Sequence, residues 1–398
     1  MSWNPLFDEF VNRMRSHAIP LRLQLWNGNH FDLSADPRVT ITANSIGSLR
    51  HIIHPTLDNL GKAYVEGDID VSGHVMDVVA VAARLAEANN STERPTTRIA
   101  DHTKELDKDS ISYHYDVSNE FYAQWLDQEM VYSCAYFKTA DDTLDAAQVQ
   151  KLDHILAKLN LRPGQTLLDI GCGWGALIIR AARKYGVKAL GVTLSQNQYD
   201  YAKARIEREG LSDVCEVRIQ DYRDVSGQFD RITSVGMFEH VGLKNLQTYF
   251  KQVNKLLADG GVAMNHGITS TDPDSRSTPF GGGDFIDRYV FPNGELPHIS
   301  LALREMASAG LEVLDVENLR RHYALTLEHW ADRFDAAKER VLALAGEQRY
   351  RIWRIYLAGC AYGFRQDWIA LHQILATKSG GPEMNKLPLT RDYMYRHP

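Results

Sequence analysis

The sequence predicts an α/β fold in which a mostly parallel sheet is covered by helices, with a smaller α/β domain before it. Between residues 152 and 267, short apolar segments alternate with amphipathic ones, and strands alternating with helices are typical of a parallel sheet. The 398 residues are also too many for one small core, which indicates a second domain or a large extension.

The first ninety residues predict the smaller domain. Residues 21–33 alternate in polarity around Asn27-Gly28-Asn29, which is typical of a β-hairpin. Further elements are expected as a strand at 39–43 and as helices at 45–55 and 76–88. A polar, charged stretch follows and has the composition of a linker. We therefore divide the chain into a small domain (1–90), a linker (91–110) and a large domain (111–398).

The large domain alternates predicted strands and helices. The strands are expected at 166–170, 187–192, 214–219, 229–235 and 261–267. The helices between them are expected at 152–159, 176–185, 196–209 and 243–258. The last third predicts two long helices, 325–345 and 350–376, which we expect to pack beside the sheet and to line part of a pocket.

Composition argues against several classes of protein. The net charge of −7 is unfavourable for a dedicated nucleic-acid binder, which needs a basic face. The four cysteines form no Cys-x-x-Cys pair, so we predict neither a zinc site nor any other metal. With no apolar run of 18 residues and no recognisable secretion signal, we expect a cytoplasmic protein whose membrane contact is local.

A glycine-rich turn follows the strand expected at 166–170. Gly171, Gly173 and Gly175 occupy alternate positions, and small residues there let the backbone approach a ligand closely. The dinucleotide-binding pattern G-x-G-x-x-G is not met, because position 176 is alanine. The turn resembles the first motif of class I methyltransferases, which bind S-adenosylmethionine; the alternative is a tight strand–helix turn with no ligand.

Two later strand ends complete the expected cofactor site. Many methyltransferases, like dehydrogenases, place an acidic residue after the second strand to bind the ribose hydroxyls, but Gly191–Gln198 contains none. Gln198 and the Thr193-Leu194 backbone are the substitutes. Asp221, beside Tyr222, follows the third strand and is placed to meet the adenine edge. A helix-start role for Gln198 and a capping role for Asp221 stay open.

Several motifs in one order make the resemblance specific. They are Tyr113-His-Tyr-Asp116, Tyr132-Ser-Cys-Ala-Tyr-Phe137, Asp169-Ile-Gly-Cys-Gly-Trp-Gly175, Gly191-Val-Thr-Leu-Ser195, Gly236-Met-Phe-Glu-His-Val-Gly242, Phe291-Pro-Asn-Gly294 and His322-Tyr323. Over residues 110–375 the chain resembles the cyclopropane fatty acid synthase family, which includes the mycolic acid cyclopropane synthases. The resemblance implies a class I methyltransferase, with a Rossmann-like sheet, for residues 111–398.

The resemblance also implies a reaction. The methyl group of S-adenosylmethionine is transferred to a cis double bond of an unsaturated phospholipid acyl chain. A carbocation forms, and loss of a proton from the transferred methyl closes a cyclopropane ring, with bound bicarbonate as the base. The residues implied to hold the bicarbonate are Cys134, Glu239, His266, Ile268 (through its backbone N–H) and Tyr323. The implied cofactor contacts are Tyr132, Ser133, Gly171, Gly173, Thr193, Leu194, Gln198, Asp221 and Tyr222.

Aromatic side chains are dense just before the glycine turn. Their faces suit a sulfonium and a carbocation through cation–π attraction, although large aromatic residues are also common in cores. The residues concerned are Tyr113, Tyr115, Phe121, Tyr122, Trp125, Tyr132, Tyr136 and Phe137. The polar loop 269–278 and Gly281-Gly-Gly283 predict either a mobile cover over the pocket or a plain surface insertion.

Alternative functions stay open at this point. A relative could leave a methyl branch or methylate a sphingolipid or an amine, and an inactive relative could only bind lipid or cofactor. The complete set from Cys134 to Tyr323 favours ring closure, because an amine substrate needs no such base. Nucleophilic catalysis by Cys134 is a weak alternative, since no base motif accompanies it. We expect membrane phospholipids as partners, transient peripheral contact with the inner face of the membrane, and a homodimer, with residues 1–90 holding lipid or joining two subunits.

Overall fold

A computed structural model describes residues 5–89, 117–292, 294–380 and 385–395. The chain forms two compact units. The first combines Met1–Thr97 with Arg276–Pro292 and Leu327–Trp368, and the second combines Arg98–Ser275 with Asn293–Thr326 and Ile369–Pro398. The compact units therefore differ from the predicted division along the chain, because two later stretches join the amino-terminal residues.

The elements are numbered along the chain. The helices are α1 (Pro5–Arg15), α2 (Leu49–Ile53), α3 (Leu57–Glu66), α4 (Val75–Ala88), α5 (Asn119–Ala123), α6 (Leu144–Lys158), α7 (Ala176–Tyr185), α8 (Gln196–Arg208), α9 (Leu246–Leu256), α10 (Gly282–Tyr289), α11 (Ile299–Ser308), α12 (Arg320–Ala336) and α13 (Lys338–Arg365). The strands are β1 (Leu21–Leu25), β2 (His30–Asp32), β3 (Val39–Ala43), β4 (Ile69–Ser72), β5 (Thr166–Ile170), β6 (Lys188–Thr193), β7 (Cys215–Ile219), β8 (Phe229–Val235), β9 (Leu257–Ser270), β10 (Leu311–Asn318) and β11 (Ile369–Lys378).

The first unit is built on a four-stranded sheet in the order β2-β1-β3-β4. The predicted hairpin is confirmed, because β1 and β2 pair antiparallel, and Gly28 adopts a φ of 87° in the turn between them. The later helices pack onto this part of the chain. Gly61 leaves space on α3 for Phe285 of α10, since a Cβ at Gly61 would lie 2.7 Å from the phenyl ring. On α13, Arg351 pairs with Asp70 at 2.7 Å.

The second unit contains a seven-stranded sheet in the order β10-β11-β9-β8-β5-β6-β7. The strands β9, β8, β5, β6 and β7 run parallel to one another. β11 runs antiparallel to both of its neighbours, β9 and β10. Separate apolar cores involve helices α6–α8 and helices α9 and α11. The predicted mostly parallel sheet is confirmed, and its carboxyl ends are where ligands bind in open α/β folds.

The predicted helix over 350–376 is wrong beyond Arg365, because residues 369–378 form β11. This strand lies between β9 and β10, and Ile369–Thr377 are all buried. A strand covered on both faces is a continuous apolar run, which periodicity cannot distinguish from a buried helix. In the described part of the chain, no helix is both long and apolar enough to cross a bilayer.

Candidate active site

The glycine turn forms the floor of a cavity at the carboxyl ends of β5, β6 and β8. Gly171, Gly173 and Gly175 have φ values of 77°, 54° and 86°, which are unfavourable for other residues. A Cβ at Gly173 would meet no atom within 4 Å, so the backbone there is open towards the cavity. Gly175 has a different role, because its Cβ would lie 3.0 Å from Ala202 Cβ on α8.

Most of the predicted cofactor contacts come together around this cavity. Those that line it are Tyr132, Ser133, Gly171, Gly173, Thr193, Leu194, Gln198 and Tyr222. The turn after β6 is held by a bond from Thr193 Oγ1 to Gln198 Oε1 of 2.8 Å, while Ser195 caps α8. The Gln198 side chain is thus fixed at the end of β6, where no carboxylate is present.

Asp221 is the exception among the predicted contacts. It does not line the cavity, although Gln220 and Tyr222 on either side do. Its carboxylate accepts hydrogen bonds from the backbone N–H of Arg223 (2.9 Å) and from the Arg223 guanidinium (2.8 and 2.7 Å). Asp221 therefore caps the short helical turn Tyr222–Asp224, and contact with adenine stays a prediction.

Sequence reasoning missed Lys151 of α6 and did not assign Asp169 a role, although both line the cavity. Lys151 is 2% exposed, and Asp169 accepts a 2.7 Å hydrogen bond from Thr233 Oγ1. Burial raises the pKa of Asp169 to about 6. The sequence did not indicate this burial, because Gln148, Lys151 and Lys158 recur at helical spacing as on a solvated face, yet all lie on a buried face of α6.

The aromatic residues divide into two groups. Tyr122 contacts the rings of Trp125, Tyr132 and Trp174 at centroid distances of 5.6, 5.7 and 5.1 Å, and Tyr132 and Trp174 line the cavity. In the second group, Tyr136 and Phe137 stack on His322 at 4.8 and 6.5 Å. The predicted cation–π role therefore applies to the first group, which reaches the cavity. Tyr113 and Tyr115 lie outside the described residues.

Glu239 stands on the turn Phe238–His240, after β8. Its Oε1 accepts a 2.7 Å hydrogen bond from the backbone N–H of Ile268, so that N–H is already used in this structure. Its Oε2 is buried and accepts no hydrogen bond from the described residues. Because no cation among the described residues offsets the loss of water, burial raises the pKa of Glu239 to about 7.

His266 of β9 also has a ring nitrogen, Nε2, with no hydrogen-bond partner among the described residues. Its Nδ1 lies 3.2 Å from the amide nitrogen of Gln373 on β11, which places the donor on Gln373 in this amide orientation. Nε2 then carries the proton, and it has no partner in the described part of the protein. Burial holds the pKa of His266 well below its usual range, so the ring is neutral at pH 7.

Close packing of the Phe238 ring on the backbone of β9 places Glu239 next to this strand. The Phe238 ring lies directly over Gly267, where a Cβ would be 1.9 Å from a ring carbon. Only glycine therefore lets the turn Phe238–His240 lie this close to the strand. Gly267 could not be singled out from the sequence, since its partner Phe238 is 29 positions earlier and nothing local marks the contact.

Cys134 and Tyr323 both contact the backbone carbonyl of Leu319, the residue that follows β10. The Cys134 thiol lies 3.2 Å from the Ala135 carbonyl and 3.9 Å from the Leu319 carbonyl, and the Tyr323 N–H donates to Leu319 O at 3.0 Å. Burial raises the pKa of Cys134, which keeps the thiol neutral and argues against a nucleophilic role. None of the five predicted anion-site residues lines the cofactor cavity, although Cys134 directly follows Ser133.

Comparison with known proteins identifies the family. Residues 102–374 match the family described as mycolic acid cyclopropane synthetase. The chain belongs to the cyclopropane synthase family. Residues 6–93 match a separate domain family of unknown function.

The chain is also similar to individual members of this family. A probable fatty acid methyltransferase of Pseudomonas putida is 49% identical over 96% of this chain and 98% of its own. Cyclopropane mycolic acid synthase 2 of Mycobacterium bovis is 39% identical over 68% of this chain and 94% of its own. A solved mycolic acid cyclopropane synthase, complexed with SAH and CTAB, is 36% identical, with a TM-score of 0.65 over 68% of this chain and 98% of its own.

Membership of the family makes this chain an S-adenosylmethionine-dependent methyltransferase with the class I fold. The observed geometry fits that cofactor. Gly173 leaves the backbone open to a ligand, Gln198 is fixed at the strand end that meets a ribose in such folds, and Tyr132 and Trp174 line the cavity with aromatic side chains.

Proposed function

We propose that the protein transfers the methyl group of S-adenosylmethionine to the cis double bond of unsaturated phospholipid acyl chains and forms a cyclopropane ring. The new carbon–carbon bond forms as the sulfur–methyl bond breaks, and one proton leaves the transferred methyl as the ring closes. The observation that supports this proposal is two buried polar atoms, Glu239 Oε2 and His266 Nε2, that have no hydrogen-bond partner among the described residues.

Bicarbonate, as the proton acceptor, fits these residues. Neutral His266 offers Nε2–H, and Glu239, with a pKa raised to about 7, offers a second donor in its protonated form. Buried donors without partners are costly, so an anion that accepted from both would stabilise the site. Cys134, Ile268 and Tyr323 would complete the binding set; Ile268 would have to share the N–H that Glu239 now accepts. When bound, bicarbonate supplies the base that accepts the proton.

The remaining residues provide the environment for an alkene substrate. An alkene is a weak nucleophile, so positioning and exclusion of water are the main contributions that a protein can make. S-adenosylmethionine supplies the methyl group on a positively charged sulfur. Tyr132 and Trp174 present their rings to the cavity and favour positive charge there through cation–π attraction.

A methyl-branched product is the second candidate, because the Pseudomonas putida relative bears the name fatty acid methyltransferase. Transfer of the methyl group is common to both outcomes. They differ in where the carbocation loses its proton: loss from the transferred methyl gives a ring, and loss elsewhere keeps the branch. An ordered base beside the site, as proposed around Glu239 and His266, favours the ring.

The test is incubation of the protein with S-adenosylmethionine and vesicles of cis-monounsaturated phospholipid, followed by mass spectrometry and proton NMR of the acyl chains. We expect one added CH2 per modified chain, loss of the olefin and upfield cyclopropane protons. A branched methyl doublet would support the second candidate. An unmodified lipid, with N-methyl products from amines, would contradict both.

The variant Glu239→Gln tests the role of the Glu239 carboxyl group. It preserves the shape of the side chain and the acceptor for Ile268 N–H, and it should lower the rate of ring formation at least tenfold while the affinity for S-adenosylhomocysteine stays within twofold. Equal rates in the two proteins would remove Glu239 from the proposed site.

A further inference from the structure

Lys151 is a buried cation in the cofactor cavity. It projects from α6, is 2% exposed, and lines the cavity together with Ser133 and Asp169. Its Nζ donates a 2.7 Å hydrogen bond to Ser133 Oγ, which is a neutral acceptor. Burial lowers its pKa to about 8, so the ammonium form still predominates at pH 7.

No carboxylate of the described residues forms an ion pair with Lys151. The carboxylates that act on its charge are those of Asp127 and Asp169, and both accept hydrogen bonds from other groups. Asp127 accepts the backbone N–H groups of Glu129 and Val131, each at 2.9 Å. Asp169 accepts from Thr233 Oγ1 at 2.7 Å. An ammonium group so deeply buried is costly unless an anion is supplied from outside the chain.

Lys158 of the same helix shows the contrast. It is 1% exposed, yet it lies 2.5 Å from Glu317 and 3.7 Å from Asp315. One buried lysine of α6 is therefore neutralised within the chain, and the other, which faces the cavity, is not.

The sheet order indicates which part of the cofactor Lys151 meets. In open α/β folds the nucleoside lies at the ends of the second and third strands, here β6 and β7, where Gln198 and Tyr222 line the cavity. The charge of Lys151 acts instead on Asp169 of β5 and His266 of β9, and both strands lie on the side of β6 away from β7. Lys151 thus lies at the end of the cavity opposite the nucleoside.

We propose that Lys151 is a cofactor-binding residue whose ammonium group pairs with the α-carboxylate of S-adenosylmethionine. This carboxylate lies at the end of the cofactor opposite the adenine, and it is the only carboxylate that the cofactor carries. The ion pair anchors the amino-acid end beside Ser133, one residue before Cys134 of the proposed anion site. The inference depends on the cofactor and not on which lipid is methylated.

The test compares two ligands by calorimetry. S-adenosylhomocysteine retains the carboxylate, and decarboxylated S-adenosylhomocysteine has a hydrogen in its place and keeps the amine. The native protein should prefer the first ligand. Lys151→Gln, which keeps a donor for Ser133 Oγ, and Lys151→Met should weaken binding of S-adenosylhomocysteine by about tenfold to hundredfold, as loss of one charge-assisted bond predicts. Binding of the decarboxylated ligand should change less than threefold.

Lys158→Met is the control on the same helix. It should lower the stability of the protein, because Glu317 loses a partner, but keep the native preference between the two ligands. The decarboxylated ligand reports that each variant has folded.

Two results would overturn the inference. If both Lys151 variants lose affinity for the two ligands equally, Lys151 only supports the shape of the cavity. If neither variant changes either affinity, the carboxylate binds elsewhere. Both readouts are binding constants, so failure of the lipid reaction would leave them interpretable.

Discussion

Glu239 combines a hydrogen bond to one oxygen with a buried second oxygen that has no partner in the described residues. Loss of water, with no cation beside it, is why its pKa rises to about 7, from an ordinary value of 4.5. A group with a raised pKa in the folded state binds its proton more tightly there than in the unfolded chain. This difference makes the stability of the protein depend on pH.

We expect the ligand-free native protein to lose stability relative to Glu239→Gln as the pH rises from 4.5 to about 7. Over that window the unfolded chain ionises at residue 239 while the folded protein stays protonated, so unfolding becomes more favourable by on the order of 3 kcal/mol. Below and above the window the difference is constant. Urea unfolding at several pH values measures it.

Glu312→Gln is the control for this measurement, because Glu312 is an exposed carboxylate on β10. Its unfolding free energy should follow that of the native protein to within about 0.5 kcal/mol at each pH. If native and Glu239→Gln curves run parallel, the carboxyl of Glu239 is not perturbed by burial.

The site could be predicted from the sequence where its residues are consecutive. Tyr132-Ser133 and the glycine turn come to the cavity as local motifs placed by neighbouring strand ends. Lys151 could not be assigned in this way, since a lysine on a helix is usually exposed and only the fold shows that its face is buried. The pairing of His266 with Gln373 joins residues 107 positions apart and depends on how β9 and β11 align.

At the scale of elements, β9 and the turn Phe238–His240 act together. β9 presents His266 and Ile268, and the turn presents Glu239, because Gly267 allows the Phe238 ring to lie on the strand. The contact between a glycine and a ring thus fixes the distance between two parts of the proposed site.

Gly267→Ala should separate these two elements. Its Cβ would overlap the Phe238 ring, which is 1% exposed and has little room to move. We expect a loss of about 1–3 kcal/mol in the free energy of unfolding, as for other overpacked cores, and at least a tenfold loss of lipid methylation. Chemical denaturation and the vesicle assay measure the two effects.

Gly359→Ala on α13 is the matched control, since a Cβ there would meet no atom within 4 Å. It should leave methylation unchanged and stabilise the protein by about 0.4–1 kcal/mol, because alanine restricts the unfolded chain and favours a helix. Unchanged activity in Gly267→Ala would show that the turn tolerates displacement.

The strands of the parallel sheet were predictable because each is an apolar segment followed by an amphipathic helix. β5 and β8 lie at 166–170 and 229–235, as expected from the sequence. β10 and β11 were not predicted: β10 lies before the two long helices, where no strand was expected, and β11 follows them, where the pattern suggested more helix. Their antiparallel pairing with each other and with β9 is decided by contacts far apart in sequence.

At the scale of the whole molecule, the first unit depends on stretches of chain that are far apart. Helix α13 packs against α3 and α4, and Arg354 donates to the Gly73 carbonyl at 3.2 Å. The amino-terminal residues therefore cover apolar and charged side chains of α13 that belong to the same unit.

Deletion of residues 1–97 should prevent stable folding. It would remove Asp70, the partner of Arg351, and expose Ile355 of α13, which packs against the apolar core of the amino-terminal residues. We expect an aggregated product by size-exclusion chromatography, with loss of S-adenosylhomocysteine binding as well as of methylation. Adding residues 1–97 as a separate polypeptide during expression should recover part of the soluble protein.

A soluble, truncated protein with native affinity for S-adenosylhomocysteine would contradict this expectation. It would then support the sequence-based prediction that residues 1–90 serve lipid binding or the joining of subunits, which is a separate role from folding.

The division of the first unit into three stretches has a consequence for biosynthesis. Of these three stretches, Met1–Thr97 leaves the ribosome before the other two, and the stretch ending at Trp368 leaves after them. About 270 residues separate Thr97 from Trp368, and at about 5–20 residues per second their translation takes on the order of 15–55 s. During that interval the apolar faces of α3 and α4 lack α13, the helix that packs against them in the folded protein. Newly made chains should therefore be substrates for ribosome-associated chaperones until the stretch ending at Trp368 has emerged.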